Sequence, residues 1–89
     1  PNDGYITDSL GWVYFKKGLY EKAIAELIKA MKFVPKDPVI AEHLGDAYLK
    51  KNMFEKAIKL YEKSLKLDPT REEVKKKLQQ IRRHHSTTE

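Results

Sequence analysis

The 89-residue sequence contains no cysteine. Disulfide frameworks and thiolate metal sites are therefore excluded, and the composition suits a reducing compartment. No apolar run approaches the roughly 18 residues that cross a bilayer. The N-terminus carries no signal-peptide pattern. It also carries no Met, and the chain opens at Pro1 as if cut from something longer. No Gly-rich loop ends in Gly-Lys-Ser/Thr, so a phosphate-cradling loop is absent. Ser9 in "SLG" lacks the preceding Gly and upstream strand of a nucleophile elbow. A chain of this size makes one small domain that buries about 60–65% of its unfolded surface.

Negative charge is in short supply, with 13 Asp+Glu against 18 Lys+Arg. The excess is uneven. Residues 1–70 hold 12 bases and 10 acids, whereas residues 71–89 hold 6 and 3. Charge alone permits a nucleic-acid surface on the C-terminal segment, but a solvated terminal helix accounts for it as well.

What the chain does have is repetition. "LGWVYFKKGLYEKAI" at residues 10–24 returns as "LGDAYLKKNMFEKAI" at residues 44–58. Laid over each other without a gap, residues 4–37 and 38–71 share 13 identities in 34 pairs. Ile6, Leu10, Val13 and Tyr14 follow a helical period, as do Ile40, Leu44, Ala47 and Tyr48. A fixed period of this length in helical sequence predicts stacked helix pairs.

The punctuation agrees. Asp37 is a good N-cap and Pro38 suits the first helical position; Asp3 is expected to cap the first helix in the same way. The first helix of each unit should end at Gly18 or Asn52, the residue types that best adopt the left-handed C-terminal conformation. The second helices should run from about Glu21 to Phe33 and from about Glu55 to Leu67, each stopped by Pro35 or Pro69. Thr70 and Glu73 form a capping-box pattern. After them Val74, Leu78 and Ile81 make one apolar stripe, and "STTE" at the end should fray. Gly11 and Gly45 lie inside helices, where glycine costs about 1 kcal/mol relative to alanine. Their recurrence points to a close helix–helix approach, with Ala23 and Ala57 expected opposite.

Leu10–Gly11–Tyr14, Ala23 and Pro35, and again Leu44–Gly45–Tyr48, Ala57 and Pro69, resemble the tetratricopeptide-repeat signature. The chain departs from it at Thr7 and Ala41, where the pattern has Trp, and at Leu27 and Tyr61, where it has Phe. The resemblance implies an all-α solenoid of antiparallel helix pairs with right-handed superhelical stacking. Five helices are expected: two repeats at residues 4–37 and 38–71 and a capping helix with its tail at 72–89. Residues 1–3, "PND", match "PKD" at 35–37 and read as the end of a preceding repeat in a longer, bacterial-like array.

The resemblance also implies a function. In this family the first helix of each unit lines a concave groove that holds an extended peptide or a partner helix. The matching positions are Tyr5, Asp8, Ser9, Trp12, Phe15 and Lys16, then Val39, Glu42, His43, Asp46, Leu49 and Lys50. The capping helix adds Glu73, Lys76, Lys77 and Gln80. Tyr5, Trp12 and Phe15 suggest an aromatic stripe, and aromatic anchors concentrate binding energy. Packing of Trp12 on its neighbours is the equal alternative. With Asp8, Glu42 and Asp46 beside the stripe, the expected ligand is an apolar or basic segment. One branch of the family clamps acidic chaperone tails with basic and Asn residues. The corresponding places here hold Asp8, Trp12, His43, Glu73 and Lys77, and only Lys77 keeps that character, so no such tail is expected.

No enzyme, cofactor or metal site is expected. His43 and Asp46 fall within reach of each other on one helix, but a surface ion-pair neighbourhood explains them. His84–His85 belongs with the tail. The rival readings are a nucleic-acid-binding repeat using the basic C-terminal helix, disfavoured by the groove's acids, and self-association through an exposed N-terminal face.

Overall fold

The structure, a computed structural model, describes residues 3–86, with side chains up to His84. Five helices follow one another: α1 (Asp3–Lys16), α2 (Tyr20–Phe33), α3 (Pro38–Lys50), α4 (Phe54–Leu67) and α5 (Glu72–Ser86). Each packs on its neighbours in the chain, α1 on α2 and α3 on α4 within pairs, α2 on α3 and α4 on α5 between them. This is an all-α helical-repeat fold, drawn out to 44 × 27 × 17 Å. None of these helices is long and apolar enough to cross a membrane. Pro1 and Asn2 of the expected preceding repeat lie outside the described residues. So does the expected frayed tail, except for the helical backbone of Ser86.

Local chemistry explains the joints. Gly18 and Asn52 take φ of 79° and 60°. Each closes its helix with the paired bonds of a Schellman turn: Leu19 N donates to Tyr14 O at 2.9 Å and Gly18 N to Phe15 O at 2.9 Å, and Met53 N donates to Tyr48 O at 3.0 Å and Asn52 N to Leu49 O at 2.9 Å. Asp37 Oδ1 accepts from Val39 N at 2.8 Å and Ile40 N at 3.4 Å, capping α3 ahead of Pro38. Two expected caps differ. Asp3 lies in the first turn of α1 rather than ahead of it. Thr70 precedes α5 by two residues, and its hydroxyl donates to Asp68 Oδ1 at 2.6 Å instead of capping the helix.

The recurring glycines mark close contacts within each pair. A Cβ on Gly11 would stand 2.8 Å from Leu27 Cγ, and one on Gly45 would stand 2.7 Å from Tyr61 Cε1. The side chains opposite are therefore Leu27 and Tyr61. Of the expected alanines, Ala23 takes part beside Gly11 with its carbonyl oxygen, 3.4 Å away.

Burial follows the order of stacking. α3 is covered by both α2 and α4, and Ile40 and Leu44 are 1% and 4% exposed. Their counterparts on α1, Ile6 and Leu10, are 65% and 41% exposed, because only α2 backs that helix through extensive contact. At the other end Val74, Leu78 and Ile81 of α5 are buried and complete the core.

Candidate binding groove

α1, α3 and α5 share one side of the molecule, and side chains bridge them in two rungs of identical spacing. His43 Nδ1 lies 2.9 Å from Asp8 Oδ1, and Lys77 Nζ donates to Glu42 Oε2 at 2.7 Å; each pair is 35 residues apart. The Trp12 ring stacks on His43 with centroids 4.0 Å apart, and Lys77 Nζ donates to Asp46 at 3.0 and 3.1 Å; these pairs are 31 residues apart. The first rung is aromatic and imidazole. The second is ionic.

Trp12 is half-buried. It stacks on Phe15 as well, at 4.5 Å and an interplanar angle of 4°, while Phe15 meets Tyr20 edge-on at 5.5 Å. Lys16 Nζ stands 5.7 Å from the Trp12 centroid. Tyr5 does not extend this stack: it is exposed and makes no ring contact among the described residues. Ser9, Lys16, Val39 and Lys50 are also exposed, as are Glu73, Lys76 and Gln80 of α5.

The acids on this side are engaged. Glu42 is 5% exposed and accepts from both Lys77 and Arg71. Burial pushes its carboxyl pKa up, but the two cations outweigh burial and hold it below its ordinary value. Burial presses Lys77 the other way, and Glu42 and Asp46 together keep its ammonium above its ordinary value. Asp46 also accepts from the buried Tyr61 hydroxyl at 2.5 Å. Burial first, then this bond, drives the phenol pKa far upward. His43 and Asp46, within reach of each other on α3, are bonded to residues of other helices, His43 to Asp8 and Asp46 to Lys77 and Tyr61.

Arg71 and Tyr61 are the site residues that sequence reading missed. Arg71 stands where the first unit has the capping Asp37, a change from acid to base at a helix start. Tyr61 stands where the pattern has Phe, and its added hydroxyl is the signal, since a buried Tyr hydroxyl normally seeks a partner.

Between α3 and α5 lies an apolar pocket of about 200 Å³ lined by Leu49, Phe54, Lys77, Gln80, Ile81 and His84. A wider depression of about 400 Å³ is formed by the consecutive residues 52–56 and belongs to the α3–α4 turn rather than to a joint between layers. Among the described residues no three His, Asp or Glu side chains gather as metal ligands.

The model of the tetratricopeptide repeat matches residues 43–71, and a TPR-repeat model matches residues 11–52. No curated protein matches in sequence. Among solved structures, the chain is similar to the first TPR of Spaghetti (RPAP3) bound to the HSP90 peptide SRMEEVD. The identity is 23%, with 96% of this chain and 94% of that one covered and a TM-score of 0.53. The first TPR domain of the human RPAP3 protein matches at 22% identity, over 98% of this chain and 95% of that one, with a TM-score of 0.55. At such identities the likeness speaks for the fold. With both family models placed over the paired helices, the chain belongs to the tetratricopeptide-repeat family of helical protein-binding scaffolds.

Proposed function

We propose that the chain is a non-catalytic interaction module that holds an apolar peptide segment or partner helix along the side lined by α1, α3 and α5. One observation carries this reading: the acids there are paired with the protein's own bases, while an apolar pocket between α3 and α5 stays open. A basic segment would have to displace Lys77 or Arg71 to reach Glu42. An acidic tail would find Lys77 already bound to Glu42 and Asp46, so the HSP90 peptide held by the RPAP3 neighbour is not expected to bind here. Asp8 and His43 make an acid–imidazole pair, but among the described residues no hydroxyl is bonded to the imidazole.

Selection of displayed peptides on the immobilised protein, followed by calorimetry, tests the reading. Apolar sequences should be enriched, and Leu49→Glu should abolish their binding while Lys59→Glu on α4 leaves it intact. Binding that ignores Leu49→Glu, or micromolar binding of SRMEEVD, would overturn it.

A second reading, self-association through α1, is favoured by the exposure of Ile6 and Leu10. Sedimentation over a concentration range should show a dimer that Leu10→Glu dissolves; a monomer throughout would dismiss it. The nucleic-acid reading loses ground, because Lys75, Lys77 and Arg82 of α5 are each bonded to a carboxylate.

A further inference from the structure

The two layers between first helices share a register but are filled differently. In the first, Phe15 and His43 sandwich the Trp12 indole. Moving 34 residues along the chain turns Trp12, Phe15 and His43 into Asp46, Leu49 and Lys77. Leu49 is smaller than Phe15, and Asp46 is drawn to Lys77 and Tyr61. The pocket of about 200 Å³ therefore opens between Leu49 and Lys77, the counterparts of the two rings that hold Trp12.

Charge narrows the occupant. Lys77 is among the lining residues with its ammonium held by Glu42 and Asp46, and none of the lining residues is acidic. With no carboxylate in the lining, a cationic side chain finds no partner there, whereas the apolar floor and the lysine stem suit the face of an aromatic ring.

We propose that this pocket accepts an aromatic side chain of the groove-bound segment, seated in the second layer as Trp12 is in the first. The proposal rests on the groove reading above and specifies its ligand.

N-acetyl-tryptophanamide titrated into ¹⁵N-labelled protein provides the test, with N-acetyl-leucinamide as comparison. The aromatic probe should shift the amides of Leu49, Gln80 and Ile81 saturably and bind about threefold or more tighter than the aliphatic one. Leu49→Trp should fill the pocket and weaken the probe by roughly tenfold, about 1.4 kcal/mol. Should Leu49→Trp melt lower than the parent, Leu49→Phe, the first unit's own residue, replaces it. Equal affinity for the two probes, shifts confined elsewhere, or indifference to both variants would overturn the proposal. Selected peptides that bind the groove without an aromatic residue would sink this proposal and spare the groove reading. A probe that binds while no peptide does would sink the groove reading and uphold the pocket's preference.

Discussion

Lys77 places its ammonium 2.7 Å from the Glu42 carboxylate, in the same register that sets His43 2.9 Å from Asp8 one layer earlier. One geometry thus carries two chemistries. In the second layer the cation also reaches Asp46, and Arg71 closes the far side of Glu42. α5 is therefore tied to α3 by ion pairs as well as by Val74, Leu78 and Ile81.

Lys77→Ala leaves Glu42 nearly buried with Arg71 alone. The lysine is one-third exposed, so the loss should fall below that of a fully buried pair, at about 2 kcal/mol. Urea unfolding checks it. Adding Glu42→Gln to Lys77→Ala should cost less than the sum of the single changes.

The two close glycines should differ in tolerance. Gly45→Ala drives a Cβ into the Tyr61 ring, which is fully buried and anchored through its hydroxyl to Asp46. Gly11→Ala meets Leu27, which has no such anchor. Overpacking of about 1–3 kcal/mol should exceed the gain of about 1 kcal/mol in helix propensity at Gly45 and roughly cancel it at Gly11. Thermal melts should show Gly45→Ala lower by about 4 °C or more, with Gly11→Ala near the parent.

The ion-pair network sets a pH window. Glu42 has its pKa depressed on folding, so its contribution is complete above its ordinary value of 4.5 and is lost as pH falls through the folded value. Lys77 has its pKa raised, so its contribution is complete below its ordinary value of 10.5 and is lost as pH rises through the folded value. Melting temperatures should decline below about pH 4.5. Glu42→Gln should flatten the acid limb, and a limb unchanged by Glu42→Gln would contradict this assignment.

The rungs should be interchangeable. Trp12→Asp with His43→Lys writes the second rung into the first layer beside the existing Asp8. Trp12→Asp alone removes two ring stacks and should cost about 2 kcal/mol. The double variant should recover about 1 kcal/mol through the new pair, read as the coupling energy of a double-mutant cycle by urea unfolding. Zero coupling would show that the two layers are not equivalent in register.

The internal repeat was enough to determine helix number and order, the left-handed turns at Gly18 and Asn52, the Asp37 cap and the close approach at Gly11 and Gly45. These depend on backbone sterics and hydrogen bonds between residues a few places apart, and residue type and spacing report them directly. Tertiary structure alone decided what stands opposite each glycine and which acid pairs with which base. Asp8, Glu42 and Asp46 looked like open groove charges in the sequence, but their partners lie 15 to 35 residues away, on other helices or, for Arg71, just ahead of one. The same stacking decides why a Trp stands where the next unit has an Asp. Trp12 spans the layer to an imidazole and Asp46 spans it to an ammonium, and the space left beside the smaller Leu49 exists only once α3 and α5 are side by side.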